Sequence, residues 1–399
     1  MAAFFAMHWA VADGEASAQA GRILHEARKT VAGSAFLEMD GFALLHLDPT
    51  RQDASLHLLK DGDGHPSGAV FGTLFRRCAE SSPLPVTAVP PADSQAILQS
   101  NGEALLDRFW GRYVFFRPGA RRLAIMGDPS SGIPCFYCRQ GHLALVFSNL
   151  ELCPFLDLRR FSLNLHFVRA LLAYDKIQTG QTGLDGVYEL GLGQRAEIQK
   201  DDIRTNQVWD PRQFAEDAYR PRLEEAVEAV RTTIDQAVDS WRASQPNILL
   251  NLSGGLDSGA VAASLVQTGG SAAIEAVHFE LQSDDPSEFH HARKVADHLG
   301  LPLIKVHLSP DDPLPPTGSH PLSARPYREF TGSGQLQRTA ALCQGPRAAL
   351  FSGQGGDQLF QQIRSSLGFA DYLKVEGPGS HIGRELLNAA RLSERSVFA

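Results

Sequence analysis

One short segment of this 399-residue chain combines two glycines, two hydroxyl groups and a carboxylate directly after a largely apolar run. Residues 253–258 have the sequence Ser-Gly-Gly-Leu-Asp-Ser. Because Gly254 and Gly255 carry no Cβ, the backbone can turn there with its N–H groups facing inward. Such N–H groups, together with the positive end of a following helix, attract anions. With hydroxyl donors from Ser253 and Ser258, the segment predicts a cradle for a pyrophosphate group.

Asp257 fits an anion site only if a divalent cation lies between its carboxylate and the phosphates. A second glycine-rich segment, residues 353–357, also follows an apolar run and also ends in a carboxylate, Asp357. Magnesium in proteins is held by a few carboxylates together with phosphate oxygens. We therefore expect Asp257 and Asp357 to be the catalytic carboxylates and the magnesium ligands. A helix-capping role is the alternative for Asp357, and an ordinary glycine turn is the alternative for residues 253–258.

The elements that must position these two segments alternate between strands and helices. The pattern predicts strands at 248–252, 275–281, 303–308 and 348–352, and helices at 222–241, 259–265 and 287–300. Such alternation is typical of a doubly wound parallel sheet. Because these sheets bind ligands at the carboxyl ends of their strands, both glycine segments would lie at the ligand-binding edge. Neither segment matches the Lys-containing P-loop motif or G-x-G-x-x-G.

The first half of the chain has short alternating runs separated by turn residues. Strands are predicted at 36–47 (a hairpin around Asp40-Gly41), 56–59, 69–75, 111–116, 122–126, 135–139 and 143–148. A helix at 163–174, capped by Ser162 or Asn164, and a closing hairpin at 187–198 complete the pattern. The prediction is an α/β protein with an antiparallel β-rich domain over residues 1–205 and a doubly wound parallel-sheet domain over residues 206–399.

Composition limits the possible partners and compartments. The net charge of −8 indicates no general attraction to nucleic acid or anionic membranes, and no apolar run reaches membrane-spanning length. The first residues lack a basic region, so no signal peptide is predicted and a cytoplasmic location is the default expectation.

The five widely spaced cysteines do not indicate a disulfide framework. Cys135 and Cys138 should face opposite sides of one strand, which favours core packing over a metal site.

Several motifs resemble those of known enzymes. Residues 253–258 after a strand resemble the pyrophosphate loop of ATP pyrophosphatases, which convert ATP into AMP and pyrophosphate. The wider C-terminal region resembles the asparagine synthetase superfamily through SGGLDS (253–258), SEFHHARKVADHLG (287–300) and SGQGGDQLF (352–360). More loosely, the N-terminal region resembles the glutamine amidotransferase-like domain of that family through LLDRFWGRYVFF (105–116), GDPSSGIPCFY (127–137) and VFSNLELC (146–153).

Two departures from the family pattern bear on which amine the implied reaction uses. Glutamine-using members carry a catalytic cysteine directly after the initiator Met, whereas this chain begins Met1-Ala2-Ala3. The N-terminal domain is therefore expected to be an inactive scaffold, and the amine is expected to come from the substrate itself. Gln354 stands where asparagine synthetases have Glu and β-lactam synthetases have Tyr, and an amide is no base. An N-terminal α-amine, with a reference pKa of about 8, needs less help to lose its proton.

The resemblance then implies a lasso peptide cyclase, which the stretches 369–379 and 384–399 also favour. Such an enzyme adenylates an Asp or Glu side chain of a cleaved precursor peptide, and the peptide's N-terminal amine displaces AMP to close a macrolactam. The implied cofactors are ATP and Mg²⁺, and the implied partners are the precursor peptide, a leader peptidase and a leader-binding protein. The alternatives are a small-molecule amide ligase like β-lactam synthetase or asparagine synthetase, and a nucleotide- or peptide-binding module without catalysis.

The implied nucleotide site draws on the ends of three strands. Backbone groups of the second strand would contact adenine, and the two glycine loops would hold the phosphates. The expected nucleotide-binding residues are Leu252, Ser253, Gly254, Gly255, Asp257, Ser258, Val277, His278, Phe279, Ser352 and Gly353. Family members also have a Lys well after the second glycine loop, whereas Lys374 is the only Lys after Asp357. The domain is therefore expected to be incomplete at its C-terminus, and residues 1–399 alone to cyclise little.

Because no cysteine stands near Met1, we expect this chain to release no glutamate from glutamine. The measurement is glutamate formation from glutamine with and without ATP, with heat-denatured protein as the control. Glutamate formation above that control in the absence of ATP would contradict the scaffold interpretation of the N-terminal domain.

Overall fold

The computed structural model describes residues 3–30, 36–48, 54–77, 83–174, 178–199, 202–216, 221–245, 247–269, 274–281, 286–309, 311, 316, 318, 322–326, 333–342, 348–360 and 367–393. These residues form two six-stranded antiparallel sheets and one four-stranded parallel sheet, together with helices that cover them. The predicted α/β class, with antiparallel strands first and a parallel sheet afterwards, is confirmed. No helix in the described part of the chain is long and apolar enough to cross a membrane.

The strands and helices of the first half alternate irregularly along the chain. In order they are β1 (Phe4–His8), α1 (Gly14–Thr30), β2 (Phe36–Met39), β3 (Phe42–His46), β4 (Ser55–Lys60), β5 (Pro66–Arg76), α2 (Pro91–Gln99), α3 (Ala104–Arg108), β6 (Phe109–Pro118), β7 (Arg122–Gly127), β8 (Phe136–Gln140), β9 (Leu143–Phe147), a 3₁₀ turn (Leu158–Arg160), α4 (Leu165–Ala173), β10 (Val187–Glu189), β11 (Gln194–Gln199) and β12 (Ile203–Gln207).

The two antiparallel sheets pack face to face as a sandwich. Sheet A has the order β10-β8-β9-β1-β3-β2, and sheet B has the order β12-β11-β7-β6-β5-β4. Between them lies a core in which Phe4 of sheet A meets Phe71 and Phe116 of sheet B at ring-centroid distances of 5.2 and 5.4 Å. The outer face of sheet A packs on α1, and the outer face of sheet B packs on α2. The sandwich therefore has helices on both sides.

Most of the predicted strands of this half are present, but two features differ from the prediction. Residues 187–198 do not form a hairpin, because β10 pairs with β8 in sheet A while β11 pairs with β7 and β12 in sheet B. The turn between β10 and β11 thus carries the chain from one sheet to the other. The sequence analysis also missed β1, a fully buried strand in the middle of sheet A. At α4 the cap is Asn164, whose side chain accepts from the Phe167 N–H at 3.0 Å.

The cysteines of the sandwich lie in its core, as the strand pattern predicted. Cys135 is buried between the two sheets, whereas Cys138 is buried on the opposite face of sheet A. Burial raises the pKa of the Cys138 thiol to about 12, and it raises the pKa values of Cys135 and Cys153 as well. These three thiols are therefore protonated at neutral pH and unsuited to nucleophilic attack. Cys78 and Cys343 lie outside the described residues.

The second half of the chain alternates strands and helices. Its elements are α5 (Arg212–Glu216), α6 (Leu223–Ala243), β13 (Asn247–Asn251), α7 (Leu256–Gly269), β14 (Ile274–Leu281), α8 (Pro286–Leu299), β15 (Leu303–Leu308), α9 (Ser333–Leu342), β16 (Ala348–Ser352), α10 (Gly356–Phe360), α11 (Leu367–Glu376) and α12 (Ile382–Ser393). The predicted division at residues 205/206 remains a prediction. It falls within β12.

The parallel sheet has the strand order β15-β14-β13-β16. The chain thus moves outward from β13 through β14 to β15, and then returns to place β16 on the other side of β13. This reversal is the topological switch point of a doubly wound sheet, where ligands bind at the carboxyl ends of the strands. Helices α6, α7 and α8 pack on the sheet through a core that includes Val238, Leu265 and Ala296.

Two groups of contacts join the sandwich to the second half of the chain. At the first, Trp241 of α6 packs edge-on against Phe75 of β5 at 4.8 Å between ring centroids, and the guanidinium carbon of Arg112 lies 4.9 Å from the centre of the Trp241 ring. At the second, the Gly183 N–H donates to the Ala324 carbonyl at 2.8 Å, and Arg325 forms an ion pair with Glu189 at 3.2 Å.

We predict that Gly72→Ala destabilises the sandwich by more than about 1 kcal/mol. Gly72 has φ +136°, and a Cβ there would lie 2.1 Å from the carbonyl oxygen of Arg112 on the neighbouring strand. The matched control is Gly21→Ala on α1, where a Cβ has nothing within 4 Å. Because alanine favours helix over glycine, the control should stabilise by about 0.5–1 kcal/mol. Urea unfolding followed by circular dichroism measures both, and equal shifts in the two variants would contradict this account.

Candidate nucleotide-binding site

Both glycine segments lie at the carboxyl ends of neighbouring strands. Strands β13 and β16 run parallel, and Asn251 at the end of one is opposite Ser352 at the end of the other. The segment 253–258 follows β13 and leads into α7, which begins at Leu256, earlier than the predicted residue 259. The segment 353–357 follows β16. The topology therefore brings both segments to the switch point of the sheet, as the sequence analysis expected.

The first loop is held tightly against α8. Gly254 has φ +85°, and a Cβ at this position would lie 2.4 Å from the backbone nitrogen of Ala292 and 2.9 Å from the Cβ of His291. Both the conformation and the close approach require glycine here. Gly254 and Gly255 thus add no side-chain atoms of their own to the turn, which is what a phosphate cradle needs.

The two serines of the loop have different surroundings. Ser258 is buried, and its Oγ accepts from the Ser253 N–H at 3.2 Å and donates to the Gly255 carbonyl at 3.3 Å. Ser253 is exposed, and its Oγ lies 3.0 Å from the Oγ of Ser258 and accepts from the Gly255 N–H at 3.3 Å. Ser258 therefore fastens the turn, and Ser253 presents its hydroxyl to solvent.

The second loop is in direct contact with the first. A Cβ on Gly353 would lie 2.4 Å from the Ser258 backbone nitrogen, and a Cβ on Gly356 would lie 2.2 Å from the carboxylate carbon of Asp257. The carboxylate of Asp257 thus lies against the backbone of Gly356. Gly355 has φ +103°, which turns the loop sharply before α10. These contacts make the two glycine loops a single structural unit.

Asp357 lies in the first turn of α10, one residue after the helix begins at Gly356, so the helix-capping alternative does not describe it. Its side chain is exposed, while that of Asp257 is half-buried. The oxygen ligands available at this end of the sheet include these two carboxylates and the Ser253 hydroxyl. Such a set suits magnesium, which is held by one or two carboxylates and completes its coordination with water and phosphate oxygens.

The middle of β14 is hydrogen-bonded to Leu252, which directly precedes the first loop. The Leu252 N–H donates to the Val277 carbonyl at 2.9 Å, and the buried His278 ring lies with Nδ1 2.9 Å from the Leu252 carbonyl oxygen. Because a carbonyl only accepts, Nδ1 carries the proton in this bond. Both backbone groups of Leu252 are therefore engaged within the protein. Val277 is buried and Phe279 is half-buried, beside the loop.

The sequence analysis missed a charged group next to these strand ends. Glu280 of β14 forms an ion pair with Lys305 at 2.8 Å, and its other carboxylate oxygen lies 2.9 Å from Nδ1 of His307; both partners are on β15. The hydrogen bond from Lys305 holds the pKa of Glu280 below its usual value. The Lys305 ammonium also lies 4.2 Å from the centre of the Phe289 ring of α8. No sequence pattern indicated this group, because its pairing depends on the register of β14 against β15, in which Glu280 is opposite His307.

Comparisons with known proteins agree with the resemblance. Residues 229–385 match the model of the asparagine synthase family. A carboxyethyl-arginine beta-lactam-synthase from Streptomyces clavuligerus is 27% identical over 251 residues, which cover 59% of this chain and 44% of that protein. The chain therefore spans less than half the length of this curated relative.

Two solved structures also match at low similarity. Glutamine-dependent NAD+ synthetase from Acinetobacter baumannii in complex with ADP has 16% identity and a TM-score of 0.21, covering 47% of this chain and 28% of that chain. Glutamine phosphoribosylpyrophosphate amidotransferase from B. subtilis, complexed with ADP and GMP, has 10% identity and a TM-score of 0.28, covering 76% of this chain and 65% of that chain.

The family match includes the parallel sheet and both glycine loops. Together with the β-lactam-synthase similarity, it shows that residues 229–385 resemble the asparagine synthase family.

We predict that Gly353→Ala weakens nucleotide binding by about tenfold or more, since the added Cβ would push the second loop away from Ser258 and Asp257. The matched control is Gly259→Ala in α7, where a Cβ has nothing within 4 Å. Titration with a fluorescent ATP analogue in the presence of magnesium measures both affinities. If Gly353→Ala binds as tightly as Gly259→Ala, contact between the loops is not needed for the site.

Proposed function

We propose that this chain carries the catalytic nucleotide site of an ATP-dependent, AMP-forming amide ligase. One observation carries the proposal: the Asp257 carboxylate lies against Gly356, where two glycine loops meet at the switch point of a parallel sheet. A carboxylate beside two glycine loops at the start of two helices suits a phosphate chain with its magnesium better than a bare anion.

The proposed reaction has two steps. In the first, a carboxylate oxygen of the substrate attacks the α-phosphorus of ATP, the bond to the bridging oxygen breaks, and pyrophosphate leaves. In the second, an amine nitrogen attacks the acyl carbon of the adenylate, AMP leaves, and the amine loses a proton. Asp257 and Asp357 would hold magnesium, which would offset the negative charge on the phosphates.

This chain's own residues would position the nucleotide and stabilise the negative charge of its phosphates. The backbone N–H groups around Gly254 and Gly255, with the Ser253 hydroxyl, would bind the leaving pyrophosphate at the start of α7. The backbone at 277–279 would contact adenine, at the strand that His278 and Leu252 tie to the loop. Ser352 and Gly353 would complete the phosphate site from the second loop. Both loops are preorganised, so little reorganisation is needed when the phosphates bind.

For the substrate we propose a cleaved precursor peptide, whose Asp or Glu side chain is adenylated and whose N-terminal amine closes a macrolactam. Gln354 of the second loop supports this choice. Its exposed amide cannot act as a base. The N-terminal amine of a peptide has a lower pKa than most other amines and so needs less help to lose its proton. A leader peptidase and a leader-binding protein would supply the trimmed peptide. All of these components, with ATP, fit a cytoplasmic reaction.

A small-molecule ligase is the second candidate, and the similarity to a carboxyethyl-arginine beta-lactam-synthase favours it. The two candidates share the adenylation step and differ in what supplies the carboxylate and the amine. They are therefore separable by substrate, without any change to the protein.

The test of the ligase is ATP–pyrophosphate exchange with the Asp257→Asn variant. Removing this charge should lower exchange by about 10²- to 10³-fold, because one electrostatic group in such a site contributes about that much. Asp297→Asn is the matched control, since Asp297 is exposed on α8 and outside the site. Exchange in Asp257→Asn equal to that in Asp297→Asn would rule out the proposed role of Asp257.

The same exchange assay separates the two substrate classes. A synthetic precursor peptide with Glu or Asp at the ring position should stimulate exchange, and its Gln or Asn counterpart should not. Stimulation by carboxyethyl-arginine in place of the peptide would favour the small-molecule ligase. Nucleotide binding without exchange for either substrate would indicate a binding module.

A further inference from the structure

A cavity of about 640 Å³ lies in the N-terminal sandwich, where both antiparallel sheets end. We call it the His8 cavity. Its lining residues are His8, Ala10, Ala12, Asp13, Gly14, Arg121, Arg139, His142, Ala144, Ile198 and Gln199. All of them belong to the sandwich, and none is among the residues of the proposed nucleotide site. The volume is within the range of about 300–1,000 Å³ that small-molecule pockets occupy.

Arg139 gives the His8 cavity a positive charge with a fixed position. One of its terminal nitrogens donates to the Gln199 carbonyl, and the other donates to the Gly141 carbonyl at 3.1 Å. Carbonyl groups orient the guanidinium but do not neutralise it. In the described part of the chain no carboxylate forms an ion pair with Arg139 or with Arg121, which lies exposed at the turn after β6. An oriented, unneutralised guanidinium is suited to binding an oxyanion.

Among the described residues one carboxylate lines the His8 cavity, and it is already engaged. Asp13 accepts from the Ala16 and Glu15 N–H groups at 3.0 and 3.1 Å, and it pairs with His142 at 2.6 Å. The Ala16 hydrogen bond and His142 hold the pKa of Asp13 below its usual value. The Asp13 carboxylate thus occupies the N–H groups of Glu15 and Ala16 at the N-terminus of α1. A ligand anion would therefore have to be bound by the arginines.

His8 supplies a neutral acceptor at the base of the cavity. It is 5% exposed, and its Nε2 donates to the Gly119 carbonyl at 2.7 Å. Burial lowers the pKa of His8, so the ring is neutral at pH 7 and Nδ1 has a free lone pair. No group in the described residues donates to Nδ1. The walls near it include the apolar side chains of Ala144 and Ile198.

We propose that the His8 cavity binds a small carboxylic acid that also carries a hydrogen-bond donor. The carboxylate would pair with the Arg139 guanidinium, with Arg121 at the entrance, and the donor would reach Nδ1 of His8. A planar carboxylate matches the guanidinium fork. A phosphate dianion is disfavoured, because the Asp13 carboxylate on the same wall repels a second negative charge. This inference does not depend on the proposed ligase activity.

The experiment is isothermal titration calorimetry on the full chain with L-lactate and L-glutamine, and with inorganic phosphate as the second arm. We expect saturable binding of at least one carboxylate probe, weaker or no binding of phosphate, and weaker binding at high ionic strength. Arg139→Lys keeps the charge but loses the fork, and it should weaken binding of that probe by about tenfold or more. Arg22→Lys, at an exposed position of α1 outside the cavity, should leave it unchanged.

Arg121→Gln provides a second variant if Arg139→Lys fails to fold, because Arg121 is exposed and holds no ion pair among the described residues. It should weaken binding severalfold. Thermal unfolding of each variant, with and without the probe, checks the fold and gives an independent measure of binding. The proposal is overturned if neither carboxylate binds, if phosphate binds more tightly than both, or if binding is the same in the arginine variants as in Arg22→Lys.

Discussion

The C-terminal half of this protein depends on the close approach of two glycine loops. Gly353 and Gly356 lie so near Ser258 and Asp257 that neither position has room for a Cβ. This contact is possible because β13 and β16 are neighbours and run parallel, so that their carboxyl ends lie side by side. β13 and β16 are adjacent because the strand order reverses at β13. Sheet topology and the absence of side chains at two positions therefore act together to form the site.

The surroundings of the loops make their geometry rigid. Helix α8 packs on Gly254, the buried Ser258 hydroxyl closes the turn, and the His278 ring joins β14 to the Leu252 carbonyl. Each of these contacts uses a backbone group of the first loop or its flanking residues. Ser253 and Gly255 lie on the exposed side of the loop. A preformed, rigid anion site is the arrangement that catalysis by electrostatic stabilisation requires.

Sequence patterns predicted the parallel sheet well, because each strand is a short apolar run bounded by glycine or polar residues. The sequence also indicated that the two loops lie at the same edge of the sheet, because both follow strands of one parallel sheet at their carboxyl ends. The same patterns failed where pairing is non-local: nothing in residues 187–198 indicates that β10 and β11 join different sheets. β1 was missed because it is buried on both faces and so lacks alternation. The His278 bond to Leu252 also depends on three-dimensional packing that local sequence does not encode.

Trp241 has a consequence for how this gene can evolve. Its ring packs on Phe75 and lies under Arg112, and the Ala324 carbonyl completes the backbone hydrogen bonding of Gly183. Splitting the gene between the two halves would leave a large aromatic surface uncovered on both products and an amide without its acceptor. Each product would tend to aggregate or to be degraded. We therefore expect selection against gene splits between the two halves, acting through the solubility and abundance of the products.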